Sequence, residues 1–403
     1  MIISLIRSLF VKIFYSTLSY LQNKGEQIMN LFAKLKFSIF NSIVKASILS
    51  LGLFAIIGLN GCEDEGSEPT SPGGNTNIIE ITKDIDSTTT WQNGNVYLIR
   101  KWDFYVNATL TIEAGTIIKF HPSDGPYMVM SGDGTVIADG TASRPIVFTS
   151  YRDDAHGGDT NKDGDATSPA AEDWGSISTN ATQGSVFDYC EFYYGGGDNS
   201  LTTLELYDSR ATVTNCTFAH NKGGPSGDFY YGALDASDAR SGTIITGNLF
   251  FNNVIPLSIG DEYNIDDSNN FSYQAQTNTY NGIFYNTTDN ITKNLIWAET
   301  EVAFVIDDNQ LIIDGAVLTL GNNVVIKFTN GSNLSLWDDT SNLGNYNGSG
   351  VYFTSFRDDN LKGDTNGDGS ATSPADNDWD GIYNNNIAVS EYMTWSNILY
   401  DSY

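Results

Sequence analysis

The chain is poor in positive charge, in cysteine and in histidine: 20 Lys and Arg face 49 Asp and Glu across 403 residues, with three cysteines and three histidines. A formal net charge of −29 argues against a nucleic-acid partner, since phosphate binding needs a cationic footprint. The three histidines, His121, His156 and His220, are scattered without metal-ligand spacing and read as loop or surface residues. There is no nucleophile elbow, no phosphate-binding loop and no CxxC. Helical periodicity is almost missing from residue 77 onward, where short runs such as "TLTIEAGTIIKF" and "RPIVFTS" alternate apolar with polar side chains. This text predicts strands and turns.

The N-terminus is separate from any fold. From Met29 the sequence gives a basic start, "MNLFAKLK", then the apolar "ASILSLGLFAIIGL", then "NGC". That apolar run is shorter than the ~20 residues a membrane span needs. Leu59 to Cys62 resembles a bacterial lipobox, which implies cleavage before Cys62 and lipid on its thiol and new amine. Residues 1–61 are read as leader, with Met29 as the expected true start and an uncleaved helix as the alternative. Residues 62–76, "CEDEGSEPTSPGGNT", are a polar tether that cannot bury a core. The acidic run after Cys62 is similar to export signals of Bacteroidota surface lipoproteins. Without the leader's six basic residues and one Glu, the charge becomes about −34, which suits a solvated exterior able to hold divalent cations.

What is abundant is repetition. "ATLTIEAGTIIKF" at Ala108 returns as "AVLTLGNNVVIKF" at Ala316, and "FTSYRDD" at Phe148 returns as "FTSFRDD" at Phe353, so about 90–200 and 296–403 are two copies. A finer repeat lies between: "FDYCEF", "VTNCTF" and "ITGNLF" align Cys190, Cys216 and Asn248 at one position and Phe192, Phe218 and Phe250 at another. Units of this length cannot bury an apolar face alone but stack into one core. The expectation is an all-β fold: a right-handed parallel β-helix over 77–403, one elongated domain of about a dozen coils, with stacked side chains about 4.8 Å apart. Tandem β-sandwich domains are the alternative. Cys190 and Cys216, on adjacent coils, read as stacked thiols, with a disulfide left open by an oxidising exterior.

The two copies share a loop, "DTNKDGDATSPAAEDW" from Asp159 and "DTNGDGSATSPADNDW" from Asp364. Each opens with oxygen ligands at positions 1, 3 and 5 and Gly at 6, as an EF-hand does, but has Ala where position 12 needs Glu. The expected calcium ligands are Asp159, Asn161, Asp163, Asp165 and Asp173 in the first loop. In the second they are Asp364, Asn366, Asp368, Ser370 and Asp378. Asx-bonded turns are the alternative. Arg152 and Arg357 are expected to pair with neighbouring carboxylates.

"LTIEAGTIIKF", "GTVIADGTASRPIVFTS", "GGDTNKDG", "DWGSI" and "YCEFYYGGG" together resemble the pectin-lyase-like right-handed β-helix surface proteins of bacterial lipoproteins. The resemblance spans roughly 90–403. It implies the fold, and it leaves open whether the chain is a lyase, a hydrolase or a non-catalytic adhesin. A lyase needs a basic residue to take the proton, and the fourteen Lys and Arg beyond the leader form no cluster. A hydrolase needs carboxylates facing one groove, a part open to Asp235, Asp238, Asp261, Glu262, Asp266 and Asp267. Tyr193, Tyr194, Tyr230 and Tyr231, set beside glycines, are the candidate sugar-stacking residues. The functional expectation is a lipid-anchored outer-membrane or cell-surface protein that binds glycans or acts in adhesion. A polysaccharide lyase or glycoside hydrolase is the alternative.

Overall fold

Strands of two to six residues carry side chains that alternate between buried and half-buried, as in Thr109–Ile112, and each finds its partner one coil away. The computed structural model describes residues 77–403 except 122–126, 131–133, 198–200, 227–228, 308–309, 387 and 389. The leader, Met29, Cys62 and the tether lie outside the described residues.

Three walls of parallel strands wind into a right-handed β-helix, and the sandwich alternative falls, because sandwich sheets pair antiparallel. Wall 1 has seven strands, from Asn77–Ile81 to Leu249–Phe251; wall 2 has ten, from Asp103–Val106 to Tyr352–Ser355; wall 3 has six, from Thr89–Trp91 to Ile244–Thr246. Wall 2 runs through unbroken. Walls 1 and 3 stop near residue 250, and their places are taken by a three-stranded sheet (Leu295–Trp297, Leu318–Leu320, Leu343–Gly344) and a four-stranded sheet starting at Gln310–Ile313.

The fine repeat sets the register. Phe192, Phe218 and Phe250 are direct Cα partners in wall 1, and their rings stack with Phe148 and Phe271 at centroid spacings of 4.9, 4.7, 5.1 and 5.3 Å. One step before them, Cys190, Cys216 and Asn248 occupy successive coils: the Cys216 amide donates to Asn248 Oδ1 at 3.0 Å, and Asn248 Nδ2 donates to Asn269 Oδ1 at 3.0 Å. Both cysteines are buried free thiols. The corner leading from wall 3 into these strands is turned by Tyr189, Asn215 and Gly247, at φ of 45°, 53° and 68°; the left-handed bend is why Asn and Gly appear in that column.

The coarse repeat is displaced round the axis. Ile117–Phe120 and Ile146–Ser150 are neighbours in wall 1, whereas their copies, Val325–Phe328 and Tyr352–Ser355, are neighbours in wall 2. The second copy is therefore turned by one wall, and its loop leaves from the next corner of the solenoid.

Candidate metal centres and ligand-binding face

Each duplicated loop is built from four fixed parts. The first is a lysine. Lys119, on the outer face of wall 1, is completely buried under its loop, and its Nζ donates to the carbonyls of Asp153 (2.8 Å) and Gly158 (2.9 Å) and to Thr160 Oγ1 (2.7 Å). Lys327 does the same in wall 2 toward the Gly363 carbonyl (2.8 Å) and Thr365 Oγ1 (2.7 Å). Desolvation lowers both ammonium groups to about 8, against the pull of the neighbouring carboxylates. The second part is a clasp across the loop's ends. Arg152 meets Asp173 at 2.6 Å, and Asp173 also accepts from Ser150 Oγ at 2.6 Å; Arg357, Asp378 and Ser355 repeat this at 2.8 and 2.6 Å.

The third part closes the loop on the core. Trp174 stacks on Phe120 at 4.2 Å and Trp379 on Phe328 at 4.1 Å, each donating its indole N–H to a backbone carbonyl. The first loop also lies close on its wall: a Cβ on Gly157, at φ 75°, would stand 2.7 Å from Val96 Cγ2.

The fourth part is a carboxylate triad. Asp154, Asp159 and Asp163 bring one carboxylate oxygen each within 4.8 Å of the others, and Asp359, Asp364 and Asp368 match them. That spread is what one calcium ion with ligands at about 2.3–2.6 Å can span. Asp154 Oδ1, Asp163 Oδ1 and Asp359 Oδ1 are buried with no hydrogen-bond partner. A buried carboxylate oxygen without a donor is costly, and a cation removes that cost. Burial first, then the adjacent triad carboxylate, raises the Asp154 and Asp359 carboxyls. Asp159 also accepts from the backbone of Asp163 (3.1 Å) and Gly164 (3.0 Å), an Asx turn that preorganises the loop.

The expected ligand sets change in consequence. Asp173 and Asp378 stand apart from the triads, because the arginine clasp already neutralises them. Asp154 and Asp359 take their place; the signal was the Arg-Asp-Asp text repeated in both copies. Asn161 and Asn366 stay beside the triads, their amides donating to Asp163 and Asp368 at 2.9 and 3.1 Å. Asp165 and Ser370 are exposed on the loop.

The four tyrosines divide between two places. Tyr193 and Tyr194 belong to a strip on the outside of wall 1: His156 stacks on Tyr193 at 5.2 Å, and Tyr194, His220, Phe251 and Tyr273 follow at successive centroid spacings of 5.7, 5.9 and 5.2 Å. These rings are half-buried, with Tyr273 45% exposed. Tyr230 instead packs on Phe284 at 4.7 Å beneath the antiparallel hairpin Gly224–Ser226/Phe229–Tyr231, so it is part of the fold rather than of the strip. Tyr231 lies next to Glu205 and Asp235, whose fields raise its hydroxyl after burial.

Residues 83–200 match the family model described as pectate-lyase like beta helix domain. No curated protein and no solved structure matches the chain. Fold and match together define a parallel β-helix whose N-terminal coils are similar to pectate-lyase-like domains.

Proposed function

We propose that this chain is a surface-displayed, lipid-anchored β-helix that binds glycans without cleaving them, its two projecting loops fastened by calcium. The observation that carries the reading is the aromatic strip on wall 1. A row of half-exposed rings about 5–6 Å apart presents apolar faces to the faces of sugar rings, and Glu191 and the loop histidine His156 supply polar contacts at its edge. The triads support the calcium, and the lipobox text at Leu59–Cys62 supports the anchor and the outer-membrane or cell-surface location.

The test is binding of the folded protein to a panel of neutral and anionic polysaccharides. Tyr194→Ala and Phe251→Ala are each expected to weaken the best binder by about tenfold, the size of one lost stacking contact. Unchanged binding in both would remove the strip from the account. The anchor is tested separately: Cys62→Ser is expected to abolish incorporation of a labelled fatty acid, and continued labelling contradicts it.

The alternative, a polysaccharide lyase or glycoside hydrolase, draws on one pair. Glu205 and Asp235 are direct neighbours on the outer face of wall 2, and burial raises both carboxyls, the state of a general acid. Asp235 is held by Ser237 (2.5 Å) and Ser258 (2.9 Å), which fits a structural carboxyl. Depolymerisation of any polysaccharide in the panel, lost in Asp235→Asn, would replace the binding reading with this one.

A further inference from the structure

The seam between the two copies holds a cleft that the strip and loops do not use. Where wall 3 stops at Ile244–Thr246, a cavity of about 600 Å³ opens along the wall 2 to wall 3 corner, joined to a recess of about 370 Å³ through Ser241, Glu262 and Lys293, which line both. Two of its carboxylates are neutralised: Asp208 by Arg240, and Glu262 by Lys293. Asp238, Asp261 and Asp289 have no cation within ion-pair distance among the described residues. Burial, and then Asp289 for Asp238 and Glu262 for Asp261, raise the Asp238 and Asp261 carboxyls, so the site carries repulsion that positive charge would relieve.

Two further observations narrow the occupant. Thr243 lines the recess, is only 6% exposed, and its hydroxyl has no hydrogen-bond partner. A buried hydroxyl left unpaired is a place for a ligand's hydroxyl or amine. Among the described residues, only the two loop triads bring three ligand atoms within 4.8 Å, so the cleft carboxylates are spread too widely to clasp one metal ion. The occupant is therefore an extended molecule with separated positive groups. At the rim, Tyr207 is 47% exposed and offers a ring face.

We propose that this cleft is a second carbohydrate subsite, selective for glycans that carry primary ammonium groups, that is, amino sugars without N-acetyl groups. The proposal rests on the glycan-binding reading above and adds the charge class. Ammonium groups pair with Asp238, Asp261 and Asp289, a ring stacks on Tyr207, and Thr243 receives a hydroxyl.

Calorimetry at low salt with a glucosamine tetramer, an N-acetylglucosamine tetramer and spermidine tests it. The glucosamine tetramer is expected to bind, at least about tenfold more tightly than its acetylated form, as loss of a charge-assisted hydrogen bond implies. Asp238→Asn and Asp261→Asn, isosteric and at the surface, should each weaken it by about tenfold, and Tyr207→Ala should weaken it while leaving spermidine unchanged. No binding, equal binding of the acetylated tetramer, or equal response of spermidine and tetramer to Tyr207→Ala overturns the proposal. Glucosamine binding that survives when the wall 1 strip variants show no effect on neutral glycans would sink the strip and spare the cleft; the reverse pattern would sink the cleft alone.

Discussion

Lys119→Met is expected to free the 151–174 loop from its wall, the largest local loss of stability that any single side chain in the loop can cause. Methionine matches the lysine stem in length and fills its channel, so the variant removes the three hydrogen bonds and little packing. Two carbonyls and a hydroxyl, all beneath the loop, then lack a donor. At about 1–3 kcal/mol for each buried unpaired group, the gross cost is about 3–6 kcal/mol. Burying an ammonium is itself unfavourable, as its lowering to about 8 records, and removing it returns part of that cost. Lys327→Met removes two hydrogen bonds instead of three and should cost less. Hydrogen exchange resolved by segment reads the outcome: protection falls across 151–174 in the first variant and across 356–379 in the second, with the coils unchanged. Loops as protected as in the parent chain would show that the lysines are tolerated rather than needed.

These lysines mark the boundary of what the sequence discloses. The Phe192, Phe218, Phe250 column and the Cys190, Cys216, Asn248 column were legible because a solenoid places chemically equal residues in direct contact, so a register in the text becomes a register in space. The triad residues Asp159, Asp163, Asp364 and Asp368 were legible for a related reason: Asp-x-Asn-x-Asp-Gly encodes its own local turn. Asp154 and Asp359 were not, because they reach the site from before the turn, and nothing local distinguishes them from Asp153 and Asp358, which bond to Thr149 and Thr354 instead. Asp173 and Asp378 misled because chain order gives their proximity to the loop but not the competing arginine. Lys119 reads as an exposed strand residue; only a loop some forty residues later covers it. The turn of the second copy by one wall was equally hidden, since it depends on the coils between the copies, and it is that mismatch which opens the acidic cleft at the seam.

Calcium should stabilise each loop separately, and chelation should expose 152–173 and 357–378 to protease while the coils stay folded. The triads supply three carboxylates apiece and lack a bidentate glutamate, so affinity is expected to be weak, on the order of 10⁻⁵ to 10⁻³ M, a range served by extracellular calcium. At millimolar ion the gain is about 1–3 kcal/mol per loop, from RT ln(1 + [L]/Kd). Two substitutions in the first loop separate the ion from the clasp. Asp154→Asn removes a triad charge and should abolish the calcium dependence of that loop alone, and Asp359→Asn should do so for the second. Asp173→Asn instead breaks the pair with Arg152 and the bond from Ser150, so it should loosen the loop equally with and without calcium. The loops sit at different corners of the solenoid, so their two binding events should be independent, with no cooperativity in a titration. Calorimetry that detects no calcium binding at millimolar concentration would leave both triads as Asx-bonded turns, and a calcium response lost in Asp173→Asn but kept in Asp154→Asn would return the ligand set to the one read from the sequence.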